Sequence, residues 1–157
     1  MDKQRTLDRI DLTILDTLQK DGRISNVDLA KKVNLSASPC LDRVKRLEQE
    51  GYIERYGAFL TAAKLHYGMS AFIQITLERT TSDVFSTFRD ELVKIKEVAE
   101  CHMVAGGFDY LVKLRFKDMA GYRDILGGIV DLPGVSQTHT YIVMEQIKKD
   151  QGIPLIE

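Results

Sequence analysis

Basic side chains cluster in one short part of this 157-residue chain. Between Gly22 and Leu47 six basic residues outnumber two acidic ones, although the whole chain has a net charge of −1. The six are Arg23, Lys31, Lys32, Arg43, Lys45 and Arg46. A local excess of positive charge is the electrostatic signature of a surface that binds a phosphate backbone. Nucleic-acid binding is therefore the first chemistry to consider.

The spacing of apolar residues predicts two helices around the start of this basic segment. The first begins near Asp8, which can cap it, and ends at Asp21–Gly22, because glycine tolerates the left-handed conformation common at helix ends. Its apolar face consists of Ile10, Ile14, Leu15 and Leu18. The second runs from Ser25, a favourable N-cap, to Val33.

A third helix is predicted from Ser36 or Ser38 to Gln49 or Glu50. Pro39 is compatible with its first turn, because amide groups there have no partner within the helix. The core-facing residues recur at three-residue spacing and are Leu41, Val44 and Leu47.

The residues after the third helix alternate between apolar and polar or small side chains over 52–60 (YIERYGAFL), which predicts a short β-ribbon. The ribbon would complete a winged helix-turn-helix domain over residues 1–60. Residues 61–68 show no strong periodicity and are interpreted as a linker.

The remaining residues, 69–157, predict a ferredoxin-like βαββαβ domain, so that the whole chain is of the α+β class. Strands are expected over 69–78, 98–105, 108–116 and 135–147, with helices after the first and third strands. Four apolar residues are expected on the face of the sheet that the helices leave open: Phe72, Leu111, Ile142 and Met144. Because an exposed apolar patch favours association, we expect this face to pair with a second copy.

In a helix-turn-helix, the second helix of the motif enters the major groove with its N-terminal residues near base edges. The base-proximal candidates on the third helix are Ser36, Ser38, Arg43 and Arg46, and Pro39 lies in the same first turn. Arginine is suited to guanine O6 and N7. Phosphate contacts are expected from Lys31, Lys32, Lys45 and Arg55. Two alternatives remain open: the segment RVKR is simply a solvated helix face, or the motif mediates only protein contacts.

Enzymatic and metal-dependent functions have little support. Cys40 and Cys101 lack a CxxC partner and are interpreted as reduced, partly buried thiols. The three histidines share no metal-ligand spacing with each other or with a cysteine, so neither a metal nor a cofactor is expected. His102 and Asp109 could act as a base and its orienting carboxylate, but no nucleophile motif or phosphate loop accompanies them.

Three stretches resemble the two halves of the Lrp/AsnC family of feast/famine transcription regulators, most closely its leucine-responsive subgroup. NVDLAKKVNLSASPCLDRVKRLEQEGYIERYGAFL resembles the DNA-binding half, and ECHMVAGGFDYLVKLRFKDMAGYRDIL and LPGVSQTHTYIVM resemble the effector domain. The resemblance covers nearly the whole chain. It implies a dimer built through the C-terminal sheets, assembly to octamers or larger, and an amino-acid effector held between dimers.

By position, the resemblance also implies an effector site around the glycine-rich hairpin. Its residues would be Gly106, Gly107, Phe108, Asp109, Tyr110, Met119, Thr140 and Tyr141. Asp109 has the chemistry to pair with an α-ammonium group. The family pattern at the hairpin is GDFD or GNFD, whereas this chain has GGFD, so we expect Gly107 to alter ligand choice or affinity. The residues alone favour the alternative that GGFDY is a simple hairpin turn with Tyr110 in the core, because Gly-Gly dipeptides are ordinary turn signals.

Together these features predict a sequence-specific DNA-binding transcription regulator, and not an enzyme, whose oligomeric state or DNA affinity responds to a small effector such as an amino acid. The chain has no apolar run long enough to span a bilayer, and its N-terminus is too polar for a signal peptide, which predicts a cytoplasmic protein.

Overall fold

The computed structural model describes residues 6–79, 81–150 and 152–156, which form two compact units. One unit comprises Met1–Phe59 with Lys148–Glu157, and the other comprises Leu60–Ile147. Each unit has its own buried apolar cluster. The division differs from the predicted one in the segment after Ile147, which belongs with the N-terminal unit rather than with the predicted 69–157 domain.

Three helices form the N-terminal unit: α1 (Arg9–Lys20), α2 (Asn26–Lys32) and α3 (Ala37–Gln49). The predicted caps of the first two are confirmed. The Asp8 carboxylate accepts a hydrogen bond from the Asp11 N–H and the Asp11 carboxylate accepts one from the Asp8 N–H, which makes a capping box. The Ser25 hydroxyl accepts from the Asp28 N–H. The helices close on a core that includes Ile14, Leu29, Cys40 and Leu47.

The predicted β-ribbon over residues 52–60 is wrong for the isolated chain, because all of these residues are described and none is in a strand. A ribbon requires a second strand to satisfy its backbone groups, and a single extended segment is not stable by itself. The segment is largely exposed, and Phe59 is the most exposed large apolar residue in it.

The C-terminal unit has the predicted ferredoxin-like order. Its elements are a short 3-10 helix (Ala62–Leu65), β1 (Met69–Leu77), α4 (Ser82–Leu92), β2 (Val98–Met103), β3 (Tyr110–Phe116), α5 (Met119–Val130) and β4 (Val135–Ile142). The strands form one antiparallel sheet in the order β2-β3-β1-β4. The 3-10 helix lies within the predicted linker, and β2, β3 and β4 are shorter than predicted.

One face of the sheet is buried against α4 and α5. Alternate residues of β1 and β3 supply the buried side chains, and Phe88 of α4 and Ile129 of α5 belong to the same core. Ile142 pairs with Ala71, a core residue, so it lies on the helix-covered side and its predicted place on the open face is wrong. Phe72 and Leu111 are on the open face. Met144 lies beyond the end of β4.

Both cysteines are free thiols. Cys40 is buried in the N-terminal core, whereas Cys101 is exposed because it lies on the edge strand β2, so its predicted partial burial is wrong. In the part of the chain that the structure describes, no helix is long and apolar enough to cross a membrane.

Candidate nucleic-acid interface and effector site

Helix α3 places one of its faces in the core of the N-terminal unit. Cys40 and Leu47 are fully buried and Val44 is half-buried, a spacing that follows one side of a helix. Leu41 was predicted to face this core but is 40% exposed. Cys40, one position earlier, takes that place, which leaves Leu41 at the edge of a shallow groove that Val44 and Tyr56 also line.

The opposite side of α3 is exposed along its whole length. Residues at 38, 42, 45 and 49 share one helical face, and all four are exposed. Ser36 occupies the N-cap position, and both it and Pro39 are exposed. The predicted DNA-contacting residues Ser36, Ser38, Pro39 and Lys45 are therefore accessible at the start and middle of α3.

Further predicted phosphate-binding residues are also exposed, namely Lys31, Lys32 and Arg55. Lys31 Nζ lies 3.1 Å from Asp28 Oδ1, three residues earlier on α2. Because both side chains are largely exposed, this pair is weak and leaves Lys31 available to a phosphate.

Arg43 and Arg46 are oriented differently from the other basic residues of α3. Arg43 Nη1 lies 2.7 Å from Asp11 Oδ1, and Arg46 Nη2 lies 2.7 Å from the same oxygen. The Asp11 side chain is only 2% exposed, and the side chains of Arg43 and Arg46 are 29% and 23% exposed. Both predicted base-reading arginines are thus engaged with α1 and stand apart from the exposed face of Ser38 and Lys45.

Electrostatics within this cluster favour the ionised carboxylates. Burial raises the pKa of Asp11, but the hydrogen bonds from Arg46 and Arg43 more than offset it, so the pKa is lowered overall. The pKa of Asp8 is lowered by the Asp11 N–H and by Arg43. The predictions from sequence did not include Asp11 as a site residue, although its position three residues after the cap residue Asp8 is the signal of a capping box.

The glycine-rich hairpin joins β2 to β3 through residues 104–109, a longer loop than the predicted Gly-Gly turn. Asp109 closes the end of the sheet: its N–H donates to Ile75 O at 3.0 Å, and its Oδ2 accepts from Leu77 N–H at 2.8 Å. Gly106 and Gly107 are exposed, and Phe108 and Asp109 are half-buried. One oxygen of the Asp109 carboxylate is therefore committed to the backbone of β1.

Tyr110 lies in the core and is only 1% exposed. Its ring packs 4.7 Å from the ring of Phe88 and 6.0 Å from that of Phe85. Its hydroxyl is buried without a hydrogen-bond partner among the described residues, and burial raises its pKa. This placement agrees with the alternative in which GGFDY is a hairpin that anchors Tyr110 in the core.

The other predicted effector residues are dispersed over the C-terminal unit. Met119 follows the end of β3 at Phe116, and the seven residues of β3 place it roughly 20 Å from the hairpin. Thr140 pairs with Ile73 on the helix-covered side, whereas Tyr141 pairs with Phe72 on the open face. Within one chain, Met119 is thus remote from the hairpin, and Thr140 and Tyr141 do not share a face of the sheet.

Family models of known proteins match both units of the chain. A family model described as the Lrp/AsnC ligand binding domain matches residues 70–153, and a model described as winged helix-turn-helix DNA-binding matches residues 7–54. The chain belongs to the Lrp/AsnC family. It is a DNA-binding transcription regulator with a ligand-binding domain, and it is not an enzyme.

Individual Lrp/AsnC relatives are similar over almost the whole chain. The leucine-responsive regulatory proteins of Klebsiella pneumoniae and Escherichia coli (strain K12) are each 51% identical over 150 residues, which is 95% of this chain and 92% of theirs. A transcriptional regulator of Neisseria meningitidis, solved in complex with L-methionine, is 36% identical with a TM-score of 0.91, and the match covers 96% of this chain and 97% of that one. The family and the α+β class, with a helix-turn-helix followed by a ferredoxin-like domain, are therefore confirmed, although the predicted β-ribbon is not.

Proposed function

We propose that this Lrp/AsnC regulator binds duplex DNA through the exposed face of α3 and adjusts that binding to an amino-acid effector. The main observation that supports DNA binding by this surface is that Ser36, Ser38 and Lys45 are all exposed on α3. Hydroxyl groups at a helix start suit base edges and phosphates, and lysine suits phosphates.

The side chains divide into two roles under this proposal. Ser36, Ser38 and Pro39 lie at the end of α3 that would approach base edges. The exposed cations outside this turn, Lys31, Lys32, Lys45 and Arg55, would bind phosphates and give affinity without sequence preference. Arg43 and Arg46 could reach DNA only by leaving Asp11.

The proposed effector is an amino acid, and the L-methionine complex of the Neisseria relative supports this class. We place the site around Gly106–Asp109, where exposed backbone can approach a carboxylate group. Met119, at the far end of the sheet, would take part only if a second copy brought its own end of β3 to this hairpin. The separation within one chain thus supports a site between copies.

Self-association is proposed through the open face of the sheet, where Phe72, Leu111 and Tyr141 are partly or fully exposed. The resemblance to the family extends this to octamers or larger assemblies. A dimer would present two copies of α3 to half-sites that are one or more helical turns apart. An effector that binds one assembly state better than another would then shift which DNA sites are engaged together.

Two substitutions test the DNA surface. Lys45→Gln should weaken binding to all duplexes alike. It should also make the salt slope, which is the slope of the logarithm of the binding constant against the logarithm of the salt concentration, shallower by about 1. Ser38→Ala should weaken binding only to a selected site. Lys94→Gln, in the turn that follows α4 in the C-terminal unit, is the matched control and should leave both affinities unchanged. Binding by Lys45→Gln and Ser38→Ala that equals that of the unaltered protein would contradict the proposed surface.

The effector half is tested by thermal unfolding with each of the twenty amino acids. A ligand that binds only the folded state raises the apparent stability by about 2.7 kcal/mol at a hundred times its Kd. The D-enantiomer of any hit serves as a control, and sedimentation velocity then shows whether the hit changes the assembly. If no amino acid shifts the unfolding temperature, the assembly or the DNA affinity, the proposal of an amino-acid effector fails.

A further inference from the structure

Asp11 is a buried carboxylate that holds two cations of the DNA-facing helix. Its Oδ1 lies 2.7 Å from Arg43 Nη1 and 2.7 Å from Arg46 Nη2, while its side chain is only 2% exposed. It also caps the start of α1 by accepting from the Asp8 N–H. One side chain thus connects the beginning of α1 to the middle of α3.

Two further carboxylates complete the cluster. Asp8 Oδ2 lies 2.7 Å from Arg43 Nη1, and Glu50 Oε2 lies 3.7 Å from Arg46 Nη1. Both guanidinium groups are therefore neutralised inside the helix-turn-helix. If either arginine left, the buried Asp11 carboxylate would lose a compensating charge, which is strongly unfavourable.

We propose that Asp11 is a specificity-determining residue, because it holds Arg43 and Arg46 in internal ion pairs and so withholds them from DNA phosphates. This inference rests on the proposed function, in which the exposed face of α3 meets DNA. Phosphate contacts raise the affinity for every sequence, so each cation that is withheld lowers the non-specific background against which a selected site must compete. Asp11 acts through the arginines and does not itself touch DNA.

The ion pairs with Asp11 reduce the positive charge that the region around α3 can offer to DNA. With Arg43 and Arg46 neutralised, the basic residues between Gly22 and Leu47 that remain available are Arg23, Lys31, Lys32 and Lys45. The apparent excess of positive charge in the sequence thus overstates the charge that the structure offers to phosphates. Two of the six cations serve to hold α3 against α1.

The test is Asp11→Asn in the full-length protein, with binding to a selected duplex and to a random duplex measured across a range of salt concentrations. Released arginines would make the salt slope steeper by about 1 to 2. If both arginines make new phosphate contacts, raising the salt from about 50 to about 200 mM would reduce the non-specific affinity of Asp11→Asn about tenfold more than that of the unaltered protein. The ratio of specific to non-specific affinity should decrease, whereas a purely structural role of Asp11 would not steepen the slope.

Two comparisons separate charge release from a general effect. Asp16→Asn removes the same charge from the same helix, where Asp16 pairs with the exposed Lys20, and should leave the slope unchanged. The triple variant Asp11→Asn, Arg43→Gln, Arg46→Gln removes the released cations and should restore the slope of the unaltered protein.

A second measurement does not depend on the folding of Asp11→Asn. Because Arg43 is engaged internally, Arg43→Gln should leave the salt slope of the otherwise unaltered protein unchanged, while Lys45→Gln should reduce it by about 1. A reduction by about 1 in Arg43→Gln would overturn the inference. So would a folded Asp11→Asn variant with an unaltered slope and an unaltered specificity ratio. Absence of any duplex binding by the unaltered protein would instead overturn the proposed function itself.

Discussion

Gln19 on α1 forms two hydrogen bonds with the backbone of Ile153, which lies 134 positions later in the sequence. Gln19 Nε2 donates to Ile153 O at 2.7 Å, and Gln19 Oε1 accepts from Ile153 N–H at 3.0 Å. Leu155, two residues further on, packs against the core of the helix-turn-helix. The chain therefore leaves the N-terminal unit after Phe59 and returns to it after Ile147, so that the ligand-binding unit is covalently connected to the DNA-binding unit at both of its ends.

Substitution of Gly152 should release this C-terminal segment. Gly152 has φ +93°, and an added Cβ would collide with Gln19 Oε1 and lie 2.9 Å from Gln19 Cδ. We expect Gly152→Ala to cost about 1 kcal/mol and to accelerate amide hydrogen exchange at 153–155. Gly57→Ala is the control, since a Cβ there meets nothing within 4 Å. Equal exchange rates in the two variants would show that the segment does not depend on this contact.

Removal of the Tyr110 hydroxyl should not destabilise the C-terminal unit. The hydroxyl is buried without a partner among the described residues, and a buried polar group without a hydrogen bond is unfavourable. Tyr110→Phe should therefore be neutral or stabilising by up to about 1 kcal/mol in urea unfolding. Leu114→Ala, at a fully buried position of β3, should cost about 2 to 5 kcal/mol and serves as the reference. A loss above about 1 kcal/mol in Tyr110→Phe would indicate that the hydroxyl has a partner in the assembled protein.

The N-terminal unit should lose stability as the pH falls below about 4. The pKa values of Asp8 and Asp11 are lowered from 3.8 in the folded chain, so the unfolded chain binds more protons as the pH falls below about that value. The ion pairs therefore contribute their full stability above about pH 4 and lose it as the pH falls through the lowered pKa values. Urea unfolding at a series of pH values, monitored by hydrogen exchange in α1–α3, checks this. Asp11→Asn should flatten the dependence, and an identical acid profile in both proteins would contradict the assignment.

Restoring a side chain at Gly107 should change the effector response without changing the fold. A Cβ at Gly107 meets nothing within 4 Å, and the backbone there does not have the positive φ that would strain a side chain. We expect Gly107→Asp to alter affinity for an amino acid by roughly tenfold, the magnitude of one charge-assisted hydrogen bond. Calorimetry with L-methionine and the best ligand of the thermal screen measures this. Gly127→Asp, on the exposed side of α5, is the control, and the same affinity in both variants would place the site away from the hairpin.

Local signals in the sequence determined much of the fold of this protein. The capping residues Asp8 and Ser25 and the apolar spacing of α1 located the helix-turn-helix, because caps and helical periodicity involve residues only three or four positions apart. The open-face position of Phe72 on β1 was also predicted correctly, since successive residues of a strand point to opposite faces. The family resemblance was equally a property of the sequence.

Only the tertiary structure decided how distant residues meet. Arg43 and Arg46 looked like solvent-facing cations in the sequence, and their engagement depends on Asp11, more than thirty residues earlier. The side of the sheet on which Ile142 lies depends on its register with β1, and the place of the last residues depends on Gln19. Periodicity indicates which residues lie on the same face of a helix or strand, but it does not indicate which other element covers that face. That is settled only when burial of the whole core brings the elements together.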